Sequence, residues 1–334
     1  MARLLKLAEP VLVTGAAGFI GRRLVNRLLH DGIQVRAFDC VACPESLMQQ
    51  QNLSWYQGDI RHASALNEAM QDCGTVFHLA AMVGDWGDPE SHRQVTVEGT
   101  RHCFERAMQQ AKVRVVLASS IVVYGDQIGL GVCHEALPHG LTFGPYSECK
   151  QAQERLAQRY LQQGLDVRIV RPANVYGAGC KPWVEQLCEE LKRGVPVLID
   201  GGNYPAGLVH VDNVVDILLR AARVADSRGQ IFNAADEEEV TWRRYMCDLA
   251  QLCGAPAPRS LPRVAARSLA WAGERAYKLL GSQRRPPITR EALNLVGSPH
   301  QISMDKTRSA LRYRPLVSYQ EGLAEIEDYL GQAQ

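Results

Sequence analysis

Apolar and polar positions along the first two-thirds of the chain alternate between two periods. PVLVTG (10–15) is an unbroken apolar run closed by a glycine turn, the pattern of a strand buried on both faces. Residues 18–31 then place Ile20, Leu24, Leu28 and Leu29 at helical spacing. QVRAFD (34–39) and SWYQGD (54–59) read as the next strands, followed by TVFHLAA (75–81) and VRVVLASS (113–120). Helical stretches near 62–71 and 90–111 separate them. A further helix opens at Pro145, and DVRIVRP (166–172) follows it. Strand–helix alternation at this pitch predicts an α/β fold with a doubly wound parallel sheet wrapped by helices.

Beyond Pro172 the pattern changes. Helical and loop pieces dominate, broken at GAGCKP (177–182), DGGNYPAG (200–207) and GAPAPRSLP (254–262). A helix from Asp212 and the strand QIFNA (230–234) return to the earlier style. The expected organisation is a first domain over 1–176 with 208–235 returning to it. A smaller, interleaved substrate-binding region then spans 177–207 and 236–334. No repeat, coiled coil or low-complexity segment interrupts this scheme.

Composition narrows the classes of function. At 334 residues, with 46% hydrophobic and 22% charged positions, the chain is an ordinary globular one. A formal net charge of +1 argues against nucleic acid as a partner. No run reaches the ~18 apolar residues of a membrane span. The N-terminal run MARLLKLAEPVLVTG is too short for a signal segment, so a cytoplasmic protein is expected. The 10 cysteines are scattered, and the one C-x-x-C pair, Cys40 and Cys43, has no second pair at zinc spacing. Reduced thiols and no bound metal are the expectation.

The candidate chemistry begins at the turn after the first strand, Thr14-Gly15-Ala16-Ala17-Gly18-Phe19-Ile20-Gly21. Glycines at this spacing permit a tight turn, a close approach of backbone to a pyrophosphate and close packing of helix on strand. The helix that follows points free N–H groups at the phosphates. Asp39, at the end of the second strand, can accept hydrogen bonds from both ribose hydroxyls and repels a 2′-phosphate, so NAD is favoured over NADP. Asp59, after the third strand, is either an adenine contact or a plain turn aspartate. In GPYSECK (144–150), Tyr146 and Lys150 share one helix face behind a proline suited to a first turn.

TGAAGFIG, GDI (58–60), HLAA (78–81), SSIVVYG (119–125), YSECK (146–150) and RPANVYG (171–177), in this order, resemble the extended short-chain dehydrogenase/reductase family. The resemblance implies a Rossmann-type NAD(P) domain and a small-molecule substrate. It assigns Tyr146 as acid/base, Lys150 as the cation that lowers its pKa and holds the nicotinamide ribose, and Ser120 as hydrogen-bond donor to the reacting oxygen. Ser119 is the less suitable neighbour. Implied cofactor contacts are Gly15, Ala17, Gly18, Phe19, Ile20, Asp39, Asp59, Ile60, Leu79, Ala80, Ala81, Tyr146, Lys150, Pro172 and Val175. Implied substrate contacts are Val83, Trp86, Ser120 and Asn174, although a loop cap and a core valine are equally open for Asn174 and Val175. Relatives usually carry Asn where this chain has Thr96. Dimerisation through helices near 90–111 and 145–163 is the family's habit, so a homodimer is expected.

Three branches differ in chemistry. Dehydratases need an Asp-Glu pair where this chain has Ile121 and Val122, which cannot move protons. Sugar-nucleotide epimerases hold a diphosphate with arginines. The corresponding places hold Ala206-Gly207-Leu208 and Leu295, leaving Arg243, Arg244 or Arg290 to compensate. The 3β-hydroxysteroid dehydrogenase-like branch is resembled by VGDWGDPE (83–90) and by the C-terminal run ending LRYRPLVSYQEGLAEIEDYL (311–330). Residues 261–282 form an amphipathic pattern, with Leu261, Val264, Leu269, Ala272, Ala276 and Leu279 set among Arg263, Arg267, Arg275 and Lys278. Such a helix packs on its own domain, covers an apolar substrate or rests on a membrane surface. The expected function is an NAD-dependent oxidoreductase acting on a secondary alcohol or ketone of a largely apolar, steroid-like or 3-oxoacyl substrate. A sugar-nucleotide 4-epimerase is the alternative. A silent NAD-binding regulator is the second alternative, though such proteins commonly lose the Tyr or the Lys kept here.

Overall fold

The structure, a computed structural model, describes residues 5–282 and 284–332. Residues 1–4 of the apolar N-terminal run and the last two residues of the 236–334 region lie outside the described residues. The strands in chain order are β1 Val11–Thr14, β2 Val35–Asp39, β3 Leu53–Gln57, β4 Thr75–His78, β5 Arg114–Ala118, β6 Asp166–Pro172, β7 Asn174–Tyr176, β8 Pro196–Ile199, β9 Leu208–His210, β10 Ile231–Ala234 and β11 Arg259–Leu261. Seven of them form one sheet in the order β10-β6-β5-β4-β1-β2-β3, every pair parallel. β1 and β4 are buried at every position, as strands between two helical layers are, and β4 carries Thr75 and His78 among its four buried residues. The chain reverses its direction of travel across the sheet between β1 and β4. A doubly wound sheet opens its binding crevice there, outside the carboxyl ends of the strands.

The helix Phe19–His30 turns Leu24, Val25 and Leu28 onto the sheet. Gly21 makes that packing possible, because a Cβ there would sit 2.0 Å from the Gly15 carbonyl oxygen. The helix Val211–Arg223 and β10 join the large sheet, while β9 pairs with β7 apart from it. The helix Asp305–Leu311 belongs by sequence pattern to the substrate region. In the fold its Leu311, with Met304 and Tyr313 beside it, packs into the apolar cluster shared with Val214, Leu218 and Phe232.

The smaller region has its own apolar cluster around Tyr176, Trp242, Tyr245 and Tyr319. Trp183 packs against it, half-buried, with its ring 5.3 Å from that of Trp242. The C-terminal helix Tyr319–Gln332 returns to the first helix. His210 Nε2 and Glu325 Oε2 lie 2.8 Å apart, and Arg23 pairs with both Glu325 and Asp212. His210, Asp212 and Glu325 are close enough to share an ion, and the Arg23 guanidinium pairs with both carboxylates.

The helix Arg263–Leu279 overturns the simplest reading of its sequence. The large apolar side chains do not face inward. Val264 is 80% exposed, Leu269 55% and Leu279 88%, whereas Ala266, Ala270 and Glu274 are buried. The helix lies against the body through this small-residue face. Its buried carboxylate is held by Arg290, which donates from its backbone N and its Nε at 2.7 Å each.

Candidate active site

The glycine turn lies against the end of β4. Gly15 has φ +69°, and a Cβ there would meet the Ala80 nitrogen at 2.8 Å, so no other residue fits without displacing the neighbouring strand. Gly18 caps the following helix without a side-chain acceptor, which leaves the first N–H groups of the helix for a ligand. Asp39 closes the loop from the side, accepting Ala17 N–H at 2.9 Å and Val41 N–H at 3.3 Å. Phe19, Ile20, Leu79, Ala80 and Ala81 border the same crevice end in part-buried positions. A cradle of bare backbone donors with an acceptor carboxylate beside it fits a dinucleotide.

Four cofactor positions read from sequence have side chains engaged within the protein. Asp59 is gripped by Arg61, with Nε at 2.8 Å and Nη2 at 2.5 Å, which lowers its pKa. Ile60 is buried in the apolar cluster behind β4, and its carbonyl lies 3.0 Å from His102 Nδ1. Pro172 is buried at the end of β6, and Val175, half-buried, packs beside it.

Ser120 follows β5 and caps a short 3₁₀ segment by accepting Val122 N–H at 3.3 Å. Tyr146 and Lys150 stand on the first turns of the helix Pro145–Gln162, which opens with Pro145 at its first position. Lys150 Nζ is buried, 5.8 Å from the Tyr146 ring centroid, and donates to the Ala118 carbonyl at 2.8 Å and Gln153 Oε1 at 3.0 Å. Burial pulls the Lys150 pKa down to about 8, against the pull of Glu154. Burial dominates and pushes Tyr146 up to about 12, with the Ser120 hydroxyl pulling the other way and Glu291 adding to the rise. Ser119 is committed elsewhere, donating to Glu154 Oε1 at 2.6 Å.

The helix is anchored from behind by two buried polar assemblies that the sequence does not announce. Glu154 accepts from Arg171 Nε at 2.9 Å and Nη2 at 2.7 Å, besides Ser119, and lies 2.9 Å from His139 Nε2. Burial opposes its charge, but these donors outweigh it and hold the Glu154 pKa down at about 2. The second assembly runs from Lys150 through Gln153 to Thr100 Oγ1 at 2.7 Å. From there it passes to His78 Nε2 at 2.9 Å and from His78 Nδ1 to Thr14 Oγ1 at 2.8 Å. Thr96, where relatives carry Asn, lies in a π-helical stretch, Arg93–Glu98, and its hydroxyl accepts Met82 N–H at 3.0 Å.

Of the substrate positions, Asn174 spends its amide on the Ala206 carbonyl at 2.7 Å, which is the capping reading. Val83 is exposed, and Trp86 packs edge-on to Tyr277 at 6.5 Å. Neighbouring Asp85 is clamped by Arg285 through two 2.6 Å contacts and by the Thr289 hydroxyl at 2.6 Å. This clamp delivers Glu291, which sequence reasoning missed, to the N-terminus of the Tyr146 helix. Glu291 is 3% exposed, its Oε2 is 3.0 Å from Ser147 Oγ, and its Oε1 has no partner. The Ser147 hydroxyl also lies 3.0 Å from the Gly144 carbonyl. The same hydroxyl oxygen accepts Phe143 N–H at 3.3 Å and Gly144 N–H at 3.4 Å. Burial disfavours the charged carboxylate and pushes Glu291 up to about 8, against the pull of the Ser147 hydrogen bond.

The sign of the effect on stability follows. In the unfolded chain the group ionises near 4.5, and in the folded one near 8. Across that window the folded state keeps a proton the unfolded state has lost, so stability falls as pH rises from about 4.5 to 8 and is level on either side. Glu291→Gln removes this slope. In thermal melts the variant gains on the parent between pH 5 and 8, by on the order of a few degrees. Parallel curves for the two proteins would show that Glu291 ionises normally.

The glycine cradle follows β1 and Ser120 follows β5, so both lie at the carboxyl ends of parallel strands of the large sheet. The NAD dependent epimerase/dehydratase family matches residues 11–235. A 4-hydroxy-2-methyl-3-oxo-4-farnesyl-3,4-dihydroquinoline-1-oxide ketoreductase of Stigmatella aurantiaca is 31% identical over 316 residues, covering 93% of each chain. A 3-beta-hydroxysteroid dehydrogenase of Mycolicibacterium neoaurum is 29% identical, covering 96% of this chain and 90% of its own. Among solved structures, MoeE5 in complex with UDP-glucuronic acid and NAD superposes with a TM-score of 0.77 at 29% identity, over 98% of this chain and all of that one. No described helix is long and apolar enough to cross a membrane. The chain belongs to the NAD dependent epimerase/dehydratase family, with relatives among the 3β-hydroxysteroid dehydrogenases.

Proposed function

We propose that the protein interconverts a secondary alcohol and a ketone on a largely apolar substrate, using NAD. The observation that carries the substrate class is the state of the arginines. Ala206 and Leu295 stand where epimerases place diphosphate-binding arginines. The candidates to replace them are engaged: Arg290 by Glu274, Arg244 by Glu238 and the Tyr319 ring, and Arg243 by Asn203. The two curated relatives act, by their names, on a farnesylated dihydroquinoline oxide and a 3β-hydroxysteroid.

In this reading Gly15, Ala17 and Gly18 hold the pyrophosphate and Asp39 the adenosine ribose, which disfavours a 2′-phosphate. NAD, when bound, supplies the hydride acceptor or, reduced, the donor. Tyr146 removes the proton of the substrate hydroxyl or returns it to the carbonyl oxygen. Ser120 donates a hydrogen bond to that oxygen as charge collects on it. Lys150 has two of its three donors fixed by Ala118 and Gln153, leaving one for the nicotinamide ribose. Val83 and Trp86 border the substrate.

The likeness to MoeE5 favours a second reading, epimerisation of a nucleotide sugar with the same Tyr146 and Lys150. The two separate in one pair of assays. NADH formation is expected from a panel of hydroxysteroids and 3-hydroxyacyl compounds, with UDP-sugars leaving the melting temperature unchanged. A UDP-sugar shift of several degrees with silence across the alcohol panel decides for the epimerase.

A further inference from the structure

The outward face of the helix Arg263–Leu279 presents more large apolar surface than its own domain uses. Val264, Leu269, Trp271, Leu279 and Leu280 are all at least half exposed. The four on the helix spread over the half of it turned away from the buried Ala266, Ala270 and Glu274, and Leu280 follows at its C-terminal cap. Cations rim this face. Arg275 stacks on Trp271 at 4.1 Å, Lys278 Nζ lies 5.8 Å from the Trp86 ring, Arg267 is exposed on the same helix and Arg284 is exposed just beyond it. Among the described residues, none of Arg267, Arg275, Lys278 and Arg284 has a carboxylate partner within salt-bridge distance. Glu274, the helix's one acid, points inward and is taken by Arg290.

A second copy of the chain is a poor occupant, because two such faces would bring unpaired cations together without carboxylates between them. An apolar substrate in the crevice does not cover it either, since the face points to solvent. Apolar side chains with an aromatic among them, a basic rim and no exposed acid match an anionic lipid surface, into whose headgroup boundary such a helix sinks side-on. We propose that the Arg263–Leu279 helix docks the enzyme on an anionic membrane surface. The helix's links to the site then acquire a sense. Tyr277 and Lys278 pack on Trp86, and Glu274 binds Arg290, the residue before Glu291 at the Tyr146 helix. Docking holds the Trp86 side of the crevice at the bilayer, where apolar molecules concentrate.

The test uses the full chain with vesicles of phosphatidylcholine alone or mixed with phosphatidylglycerol. Flotation is expected to recover at least about tenfold more protein with the anionic vesicles, and most of that excess is expected to vanish at high salt. Leu269→Ser/Leu279→Ser and, separately, Arg267→Gln/Arg275→Gln are expected to abolish flotation while leaving the melting temperature and NAD binding unchanged. Trp271→Phe is expected to remove a vesicle-induced blue shift in tryptophan emission. Equal recovery with both vesicle types, or flotation that survives both double variants, overturns the proposal. So does a mass measurement showing a dimer that only the leucine variants dissociate. None of these readouts depends on which alcohol the enzyme takes.

Discussion

Tyr146→Phe is expected to lower kcat by about 10³-fold, the range a positioned general acid/base supplies, while NAD affinity stays within about twofold. The ring remains, so the packing around Ser120 and the helix start are preserved, and only the proton carrier is lost. The parent enzyme should also show a directional pH response. The phenol is pushed up to about 12, so it holds its proton at neutral pH. Alcohol oxidation, which needs the phenolate, is expected to accelerate as pH rises, and ketone reduction, which needs the phenol, to slow. Steady-state rates in both directions from pH 6 to 10 check this. Residual activity in Tyr146→Phe above a tenth of the parent would reassign the proton transfer to another group.

The second large effect is on folding. Glu154 and Arg171 are each 2% exposed and bonded to each other through two contacts. Glu154→Ala strips Arg171 of its counter-charge in a place water does not reach and leaves Ser119 and His139 without their acceptor. A lone buried charge of this kind costs about 3–5 kcal/mol, measurable as a lower urea midpoint. Glu154→Leu/Arg171→Met removes both charges at similar volume and is expected to recover most of that loss. If Glu154→Ala costs under about 1 kcal/mol, the cavity admits water or Arg171 finds another partner. The pair joins the Tyr146 helix to β6 and, through Ser119, to the end of β5, so the single variant is also expected to lose turnover beyond its loss of folded protein.

Local features carried much of this architecture. Gly15 to Gly21, Asp39 and the Tyr146–Lys150 spacing are legible because each acts within a few residues of itself, on a turn, a strand end or one helix face. The same is true of the unbroken apolar run of β1. Features made by distant parts of the chain left no such trace. Glu291 meets Ser147 across 144 positions, and His78 meets Thr14 across 64. Periodicity in 261–282 shows that the helix has two faces but carries no sign for which one turns inward. The larger apolar residues suggested one answer, and the small Ala266 and Ala270 with the buried Glu274 gave the other. Asp59 and Asn174 show the converse limit, because a family position does not reveal that Arg61 or Ala206 has already claimed the side chain.

The buried run behind Lys150 has a further consequence in the placement of its hydrogens. Thr100 Oγ1 gives its only hydrogen to the Thr96 carbonyl at 2.5 Å and receives one from Gln153 Nε2. Its remaining contact, His78 Nε2, must therefore be a donor. Burial and the Lys150 charge keep His78 neutral, down at about 3, so its Nδ1 is bare and takes the Thr14 hydroxyl hydrogen, while Thr14 Oγ1 accepts Ala80 N–H at 3.3 Å. The links then converge on Thr100 Oγ1, from Lys150 through Gln153 on one side and from the glycine turn through Thr14 and His78 on the other, and the array has a single proton arrangement. Such an array stores no configurational disorder. It holds Lys150 by a fixed order of donors and acceptors rather than by contact alone, and it fixes the neutral His78 as the Nε2–H tautomer.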